Sequence, residues 1–341
     1  MKFGPVPLDA AAGKILGHNI TRPDGRRALR KGKPLTGEDL ALLRALGRET
    51  VYVAQLEAGD VVEDSAAARI AAAVMGPGLR LSGPSTGRAN LYSEQLGLLR
   101  VSVPRLTQLN LLAGITLATL PANTALRAGK MAATLKVLPY AVPEATVIAG
   151  EQIALADGPI LWLDPIPARK VGLILSGSPA GRERTVRTFQ NALHERLAAL
   201  DATIAEIAYV TLDDESGEKE LAEQLGHQHA RGRELIILAG ETAIMDRHDI
   251  APRAVERAGG EVTCYGAPVD PGNLLMLGYL QGIPVLGAPG CARSPKDNIV
   301  DLVLPRLLAG DRLTKAEIVA WGHGGLLEDI PERPVPRSRL A

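Results

Sequence analysis

Short, continuous apolar runs alternate with longer amphipathic segments along the second half of the chain. Runs such as VGLILSG and LIILAG are expected for strands that are buried on both faces of a sheet. Residues 182–200 instead repeat their apolar positions at helical spacing, through Val186, Phe189, Leu193 and Leu197. The predicted strands are 171–177, 204–210, 235–240, 261–266, 274–280 and 283–290, and the predicted helices are 182–200, 218–230, 251–258 and 294–308. This alternation predicts an α/β fold with a doubly wound, mostly parallel sheet.

The first half of the chain has shorter elements and frequent glycine and proline, which predicts a β-rich α+β domain. Thr36 is expected to cap a helix that has Asp39 at its third position and Gly47 at its end. The glycine- and proline-rich residues 75–90 are expected to form a loop or linker. The other predicted elements are strands at 49–56, 96–103, 113–120 and 130–139, a helix at 61–74 and a helical turn at 106–112.

The chain is long enough for more than one domain. Its 341 residues exceed one ordinary domain, and Pro165 and Pro167 mark a junction where the pattern changes. We therefore predict an N-terminal α+β domain over 1–167, an α/β domain over 168–312, and a C-terminal helix and tail over 313–341.

Charge and composition argue against several classes of protein. Lys plus Arg equals Asp plus Glu, at 38 each, so there is no general positive field for nucleic acid or an anionic membrane. Aromatic residues make up only 3% of the chain, which argues against a base-stacking surface. Two cysteines, no secretory signal and no apolar run of about 18 residues favour a protein of the reducing cytoplasm that does not span a membrane.

Three of the predicted strands end in loops of small residues, at the sheet edge where doubly wound proteins bind ligands. We call these the first loop (176–181), the second loop (239–249) and the third loop (288–296). Glycine lets backbone N–H groups approach a ligand, and a following helix favours an anion, so a phosphorylated ligand fits these loops. The alternative is that they are ordinary turns between strands and helices. The candidate ligand-binding residues of the first two loops are Ser176, Gly177, Gly240 and Thr242.

The third loop places two cations and a hydroxyl beside a glycine turn. Arg293 can fork onto a phosphate and Lys296 can add a point charge near Gly290. Ser294 either binds the ligand or caps the helix that follows, with the next proline at its first position. Cys291 is either a small packing residue or a thiolate whose pKa is lowered by the neighbouring arginine and the helix start.

Two carboxylates lie near the end of the second loop. Asp246 and Asp249 are three residues apart, and together they could hold Mg²⁺ or position an oxyanion as catalytic groups. The alternative is that Asp249 caps the helix that begins near Pro252, while Asp246 is solvated.

A fourth loop (266–273) carries two prolines and a Gly-Asn pair in the segment PVDPGN. Asp270, Gly272 and Asn273 could contact the edge of a pterin or a phosphate. The alternative is a purely structural loop, because proline and glycine are the usual residues of tight turns.

The order of these motifs resembles the molybdopterin-binding domain of molybdenum insertases and related proteins. LIILAGETA, the Asp246 to Asp249 segment, GGEV, PVDPGN and IPVLGAPG follow one another as in that family. The opening LDAAAGKILGHNI and the later RKGKPLTGEDLALLRALG resemble the N-terminal region of the insertase. One departure is Glu241, which stands where the family's glycine-rich loop has its second glycine.

The resemblance implies a protein of molybdenum cofactor biosynthesis that binds molybdopterin or the finished cofactor. If it is an enzyme, it would insert molybdate into adenylylated molybdopterin with Mg²⁺, and Asp246 and Asp249 would be its catalytic and metal-binding residues. The alternative is a non-catalytic carrier or maturation factor that serves a molybdenum hydroxylase client. A nucleotide-cleaving enzyme is a further possibility, and a homodimer is expected from the resemblance.

Overall fold

The computed structural model describes residues 1–212 and 216–327. The chain forms two compact units: the first is Met1–Asp164, and the second begins at Pro165. The predicted tail beyond residue 327 lies outside the described residues. None of the helices within the described ranges is both long and apolar enough to cross a membrane.

The first unit contains small, mostly antiparallel sheets with helices packed against them. Its strands are β1 (Lys2–Pro7), β2 (Ile15–Leu16), β3 (Ile20–Thr21), β4 (Arg27–Leu29), β5 (Thr50–Gln55), β6 (Asp60–Val62), β7 (Leu79–Leu81), β8 (Arg88–Ser93), β9 (Gly97–Val101), β10 (Ile115–Thr119), β11 (Ala125–Leu126), β12 (Met131–Val137), β13 (Ala141–Pro143) and β14 (Leu161–Pro165). Its helices are α1 (Gly37–Ala45), α2 (Glu63–Val74), α3 (Val103–Asn110) and α4 (Glu144–Leu155). The sheet orders are β1-β5-β2, β3-β4, β10-β12-β8-β7, β11-β9-β14 and β13-β6.

The predicted start of α1 is confirmed in atomic detail. Thr36 Oγ1 accepts the N–H of Asp39 at 3.3 Å, and Asp39 Oδ2 accepts the N–H of Thr36 at 2.9 Å. Each side chain therefore satisfies a backbone donor that the first helical turn leaves unpaired. Leu40 and Leu43 of this helix then face a small core that includes Val53 of β5.

Two segments of the first unit differ from the sequence prediction. Residues 75–90, expected to be a loop, contain β7 and the first residues of β8. Four apolar residues of this segment pack in the core of the first unit: Met75, Leu79, Leu81 and Ala89. Helix α4 was not predicted, yet Val147, Gly150 and Ala154 bury one side of it at helical spacing. Glycine and proline therefore mark the ends of these elements without excluding the elements themselves.

The second unit is built on one six-stranded mixed sheet. Its strands are β15 (Lys170–Gly177), β16 (Thr203–Thr211), β17 (Leu235–Gly240), β18 (Glu261–Tyr265), β19 (Met276–Leu280) and β20 (Ile283–Gly287). Its helices are α5 (Arg182–Ala198), α6 (Ser216–Ala230), α7 (Ile250–Arg257), α8 (Ile299–Ala309) and α9 (Lys315–Ala320), with a short 3₁₀ helix at Gly290–Arg293. The strand order is β16-β15-β17-β20-β19-β18, in which the first four are parallel and β18 and β19 pair antiparallel.

Both faces of this sheet are covered, as the continuous apolar runs predict. Ile174 packs in a core with Leu225 of α6 and Val255 of α7. Its neighbours Leu173 and Leu175 are also fully buried, and adjacent strand residues point to opposite faces. The α/β class and the mostly parallel sheet of the second half are therefore confirmed.

Helix α8 begins later than predicted. It was expected from residue 294, but Asn298 is its N-cap: Asn298 Oδ1 accepts the N–H of Val300 at 3.0 Å, and Asp301 Oδ2 accepts the N–H of Asn298 at 2.9 Å. Pro305 lies inside the helix, which continues to Ala309. A capping pair with good geometry sets the start of this helix, and the proline does not end it.

Candidate functional site

The loops that carry the predicted site residues meet at one edge of the six-stranded sheet. Ser176 of β15 is in register with Gly240 of β17, Leu238 with Gly287 of β20, and Gly287 with Met276 of β19. The carboxyl ends of β15, β17, β18 and β20 therefore lie along a single edge. The predicted site residues found there are Ser176, Gly177, Gly240, Thr242, Asp246, Asp249, Asp270, Gly272, Asn273, Gly290, Cys291, Arg293, Ser294 and Lys296.

The carboxylate of Glu241 occupies the first loop. Its Oε2 accepts the N–H of Ser178 at 2.9 Å and the Ser178 hydroxyl at 2.7 Å, while Arg184 Nη2 lies 3.3 Å from Oε1. The Ser178 hydroxyl first, and then its N–H, hold the pKa of Glu241 below its ordinary value. A residue of this chain thus fills the position at the start of α5 where a ligand anion was expected.

Two glycines make room for this carboxylate. A Cβ at Gly181 would lie 2.5 Å from Glu241 Oε1, and a Cβ at Gly177 would lie 2.7 Å from Glu241 Cβ. Gly177 also has a φ of +155°, which side-chain-bearing residues rarely adopt. The contact with Glu241 therefore explains why glycine is needed at these two positions of the first loop, independently of any ligand.

The start of the second loop packs directly against the first. The N–H of Glu241 donates to the carbonyl of Ser176 at 2.8 Å, and a Cβ at Gly240 would lie 2.7 Å from Ser176 Oγ. Thr242 follows with an exposed side chain. Ser176, Gly240 and Thr242 thus lie together as predicted, and their role in binding a ligand stays a prediction.

Asp249 is the N-cap of α7. Its Oδ1 accepts the N–H of Ile250 at 2.7 Å, and its Oδ2 accepts the N–H of Met245 at 3.0 Å. The capping alternative is therefore confirmed for this carboxylate, whose two oxygens both accept backbone hydrogen bonds.

Asp246 is exposed, and its Oδ1 accepts the N–H of His248 at 2.7 Å. Burial first, and then the negative charges of Asp246 and Asp249, raise the pKa of Tyr265. In the described parts of the chain, no group of three or more His, Cys, Asp or Glu side chains could hold a metal ion.

The third loop is held by Arg196 of α5, which the sequence analysis did not single out. Its Nη2 donates to the carbonyls of Ser294 at 2.8 Å and Lys296 at 2.9 Å, and its Nη1 donates to Ala292 at 3.3 Å. The Arg196 side chain is only 10% exposed, and its Nε lies 2.8 Å from Asp301 Oδ1. One buried guanidinium therefore fixes the loop by satisfying several carbonyls. Sequence alone gave no signal, because Arg196 lies on an ordinary amphipathic helix.

Arg293 and Cys291 of the third loop differ in exposure: the arginine is exposed and the cysteine is partly buried. The Arg293 side chain is exposed, with Nε donating to the carbonyl of Gly290 at 3.0 Å and its guanidinium 5.5 Å from the Phe189 ring centre. Burial raises the pKa of the Cys291 thiol, which is the direction expected of a packing residue and opposite to that of a lowered-pKa thiolate. Ser294 does not cap α8, because it ends the 3₁₀ helix and Asn298 supplies the cap.

Contacts within the protein account for much of the fourth loop. A Cβ at Gly272 would lie 2.4 Å from Ile299 Cγ2, at a φ of +143°. The Asn273 amide lies 3.5 Å from the carbonyl of Ala267, and the Asp270 N–H donates to Gly325 at 2.8 Å. The structural alternative thus explains Gly272, while the exposed carboxylate of Asp270 remains a candidate ligand contact.

Comparison with known proteins gives one family match and several similar structures. A sequence-family model described as a domain of unknown function, DUF8806, matches residues 5–55. No protein of curated function matches the chain.

Three of the similar structures come from species of Pyrococcus. A molybdenum cofactor biosynthesis protein from Pyrococcus furiosus shares 15% identity and a TM-score of 0.24, over 94% of this chain and 65% of that one. Two molybdopterin biosynthesis MoeA proteins from Pyrococcus horikoshii share 13% and 11% identity, with TM-scores of 0.30 and 0.25, over 90% and 94% of this chain and 75% of each of theirs. This chain thus spans 65% of the length of the first of them.

Proposed function

We propose that this protein binds molybdopterin or the molybdenum cofactor at the carboxyl edge of the six-stranded sheet, as part of molybdenum cofactor biosynthesis. The proposal rests on one observation: the four loops that resemble the molybdopterin-binding domain meet at one edge. A pterin phosphate needs a basic contact and backbone donors, and the exposed Arg293 and Lys296 would supply the positive charge. Gly290 would allow close approach of the backbone.

Molybdate insertion is the enzymatic form of this proposal. Mg²⁺ is commonly bound by one or two carboxylates together with phosphate oxygens of the substrate. Asp246 fits that role because it is exposed, whereas both oxygens of Asp249 already accept backbone hydrogen bonds. When bound, Mg²⁺ would neutralise charge on the phosphate, and Asp246 would hold it at the second loop.

A carrier without catalytic activity is the second candidate function. Two observations favour it: the Glu241 carboxylate occupies the first loop, and Asp249 serves as a helix cap. A carrier needs affinity and release but no positioned catalytic group. Its client would be a molybdenum hydroxylase, which takes up the finished cofactor.

Equilibrium binding separates these functions. Molybdopterin, its adenylylated form and the mature cofactor would each be titrated into the full-length protein, with and without Mg²⁺ and molybdate, while released AMP is assayed. Binding with AMP release supports insertion, and tight binding without release supports a carrier. No binding by any of the three would contradict the proposal.

Paired variants test where the ligand binds. Arg293→Gln with Lys296→Gln should weaken binding by about tenfold or more, because charge-assisted hydrogen bonds are lost. Arg187→Gln is the matched control, since Arg187 is a cation of α5 outside the four loops. Equal affinity of both proteins for the ligand would place the site elsewhere.

A homodimer is part of the proposal and rests on the family resemblance alone. Sedimentation equilibrium of the full-length protein measures it directly. A monomer at micromolar concentration would contradict the dimer and leave the ligand proposal intact.

A further inference from the structure

A cleft in the first unit is lined by both aromatic rings and cations. It encloses about 1140 Å³, and it is lined by Phe3, His18, Arg30, Lys31 and Tyr140 among others. Pockets of roughly 300–1,000 Å³ are usual for small ligands, so the space is ample. We propose that this cleft binds an aromatic monophosphate, that is, a planar ring that carries one phosphate group. This inference does not depend on the proposed function of the second unit.

The aromatic rings that line the cleft are positioned by contacts with the backbone. Tyr140 Oη donates to the carbonyl of Gly17 at 3.1 Å, and a Cβ at Gly17 would lie 2.8 Å from Phe3 Cε2. The Phe3 and His18 rings meet edge to face, with centres 5.6 Å apart. Phe3 is nevertheless 48% exposed. A fixed ring that stays half exposed offers a stacking surface for a planar ligand.

The cations that line the cleft are only partly neutralised by carboxylates. Lys33 and Lys136 each have a carboxylate partner, at 2.6 Å and 3.5 Å. Arg30 and Lys31 are exposed, and across residues 1–212 and 216–327 no carboxylate lies within ion-pair distance of either side chain. These two neighbouring cations suit a phosphate, which Arg can contact through two parallel hydrogen bonds.

The acidic residues of the cleft are already engaged. Glu63 pairs with Lys136, and Asp64 Oδ1 accepts the N–H of Gly87 at 2.6 Å. The Met1 amino group is also paired with carboxylates, at 2.7 Å and 3.2 Å. Asp64 keeps its negative charge, but five cationic groups line the cleft against two carboxylates, so the lining is positive overall and favours an anion.

Two cations of the cleft lie in the part of the chain that matches the domain of unknown function. Arg30 and Lys31 both fall within residues 5–55. Phe3, Tyr140 and Lys136 lie outside that stretch, so the cleft is formed by the matched segment together with the rest of the first unit.

Titration calorimetry of the full-length protein at low ionic strength tests the proposal. AMP and FMN serve as the aromatic monophosphates, with adenosine, riboflavin and inorganic phosphate as their separate parts. We expect AMP or FMN to bind at least about tenfold more tightly than either of its parts, because only the whole ligand can contact both the rings and the cations of the cleft. If neither binds more tightly than inorganic phosphate, the proposal is overturned.

Variants locate the binding. Arg30→Gln with Lys31→Gln should weaken binding of the preferred ligand by about tenfold or more, and Phe3→Ala should remove its advantage over inorganic phosphate. Arg27→Gln is the matched control, because Arg27 is an exposed cation of β4 that does not line the cleft. Circular dichroism and thermal melting establish that each variant is folded.

Two further results would count against the cleft. One is a folded double variant that keeps the wild-type affinity for AMP and FMN. The other is loss of affinity in Arg293→Gln instead, which would assign the binding to the second unit. The first result leaves the proposed function untouched, and the second would support a phosphate site at Arg293, so failure of the cleft is distinguishable from failure of the proposed function.

Discussion

Asp249 holds the start of α7 through both of its carboxylate oxygens. These oxygens accept N–H groups from Met245 and Ile250, on either side of the cap. The first turn of a helix has backbone donors without helical partners, so this contact stabilises the second loop and the helix together. A carboxylate used in this way has less capacity left for a metal ion.

Two substitutions of Asp249 separate its structural role from a role in binding Mg²⁺. Asp249→Ala should lower the free energy of unfolding by about 1 kcal/mol, because the cap is lost, and Asp249→Asn should cost much less, because an amide oxygen still caps. Urea unfolding measures both. If alanine and asparagine destabilise the protein equally, the capping role is contradicted. If Asp249 also holds Mg²⁺, both variants should lose any Mg²⁺-dependent binding alike.

Glu241 should make the stability of the second unit depend on pH. Its folded pKa is lowered below the ordinary value of 4.5, so the unfolded chain binds the proton more readily. The stabilisation is therefore fully present above about pH 5 and is lost as the pH falls through the folded pKa. Glu241→Gln should show a shallower loss of stability in acid than the natural protein. Identical acid unfolding curves for the two would argue against the Ser178 contact.

The sequence shows that Glu241 replaces a glycine of the family's loop, but not where its carboxylate goes. Ser178, its partner, lies 63 residues earlier, and the two meet only because β15 and β17 are adjacent in the sheet. The same holds for Arg196 and the third loop, which are about a hundred residues apart. Local patterns predict elements and caps, whereas such contacts depend on the order of the strands.

At the scale of elements, the apolar pattern is most informative where both faces of a strand are buried. β15 and β17 were predicted within a residue of their observed ends, since continuous apolar runs leave little choice. The start of helix α8 was predicted less well. Ser294, which precedes a proline, was a candidate N-cap, but the observed N-cap is Asn298, four residues later. The Asn298–Asp301 capping box is the better signal, and it too can be read from the sequence.

Two glycines of the second unit should respond in opposite ways to substitution by alanine. Gly226 is exposed in α6 with nothing within 4 Å of its Cβ position, so Gly226→Ala should stabilise by about 0.5–1 kcal/mol. A Cβ at Gly172 of β15 would lie 2.5 Å from Oε1 of the buried Gln228, so Gly172→Ala should destabilise by about 1–3 kcal/mol. Chemical unfolding compares the pair. A stabilising Gly172→Ala would show that Gln228 can move away.

At the scale of the whole molecule, the first unit contains its own apolar cores. One includes Ile70, Leu99 and Leu135, the other Leu16 and Leu43, and every buried member of both lies before residue 165. Burial of apolar surface is the main driving force of folding, so a fragment of residues 1–164 should fold alone. Thermal melting of this fragment tests the prediction, and we expect a cooperative transition. A fragment of residues 1–110, which lacks part of the first core, should not melt cooperatively.

The sequence predicted the position of the candidate site better than its chemistry. All four loops lie at the edge where parallel strands end, which follows from the β-α-β alternation alone. The donors and acceptors left for a ligand could not be predicted, because Glu241, Asp249 and Arg196 use theirs within the protein. Gly272 likewise has a packing reason that only the folded chain shows, because Ile299 fills the space beside it.

The strand order has a consequence for the synthesis of this protein. β20 is the last strand of the sheet to leave the ribosome, yet it pairs with β17 on one side and β19 on the other. Until residues 283–287 are made, the apolar strand LIILAG has an unpaired edge, which can pair with the same strand of another chain. Nascent chains that stop short of residue 283 should therefore depend on chaperones, whereas those that extend beyond 287 can close the sheet themselves.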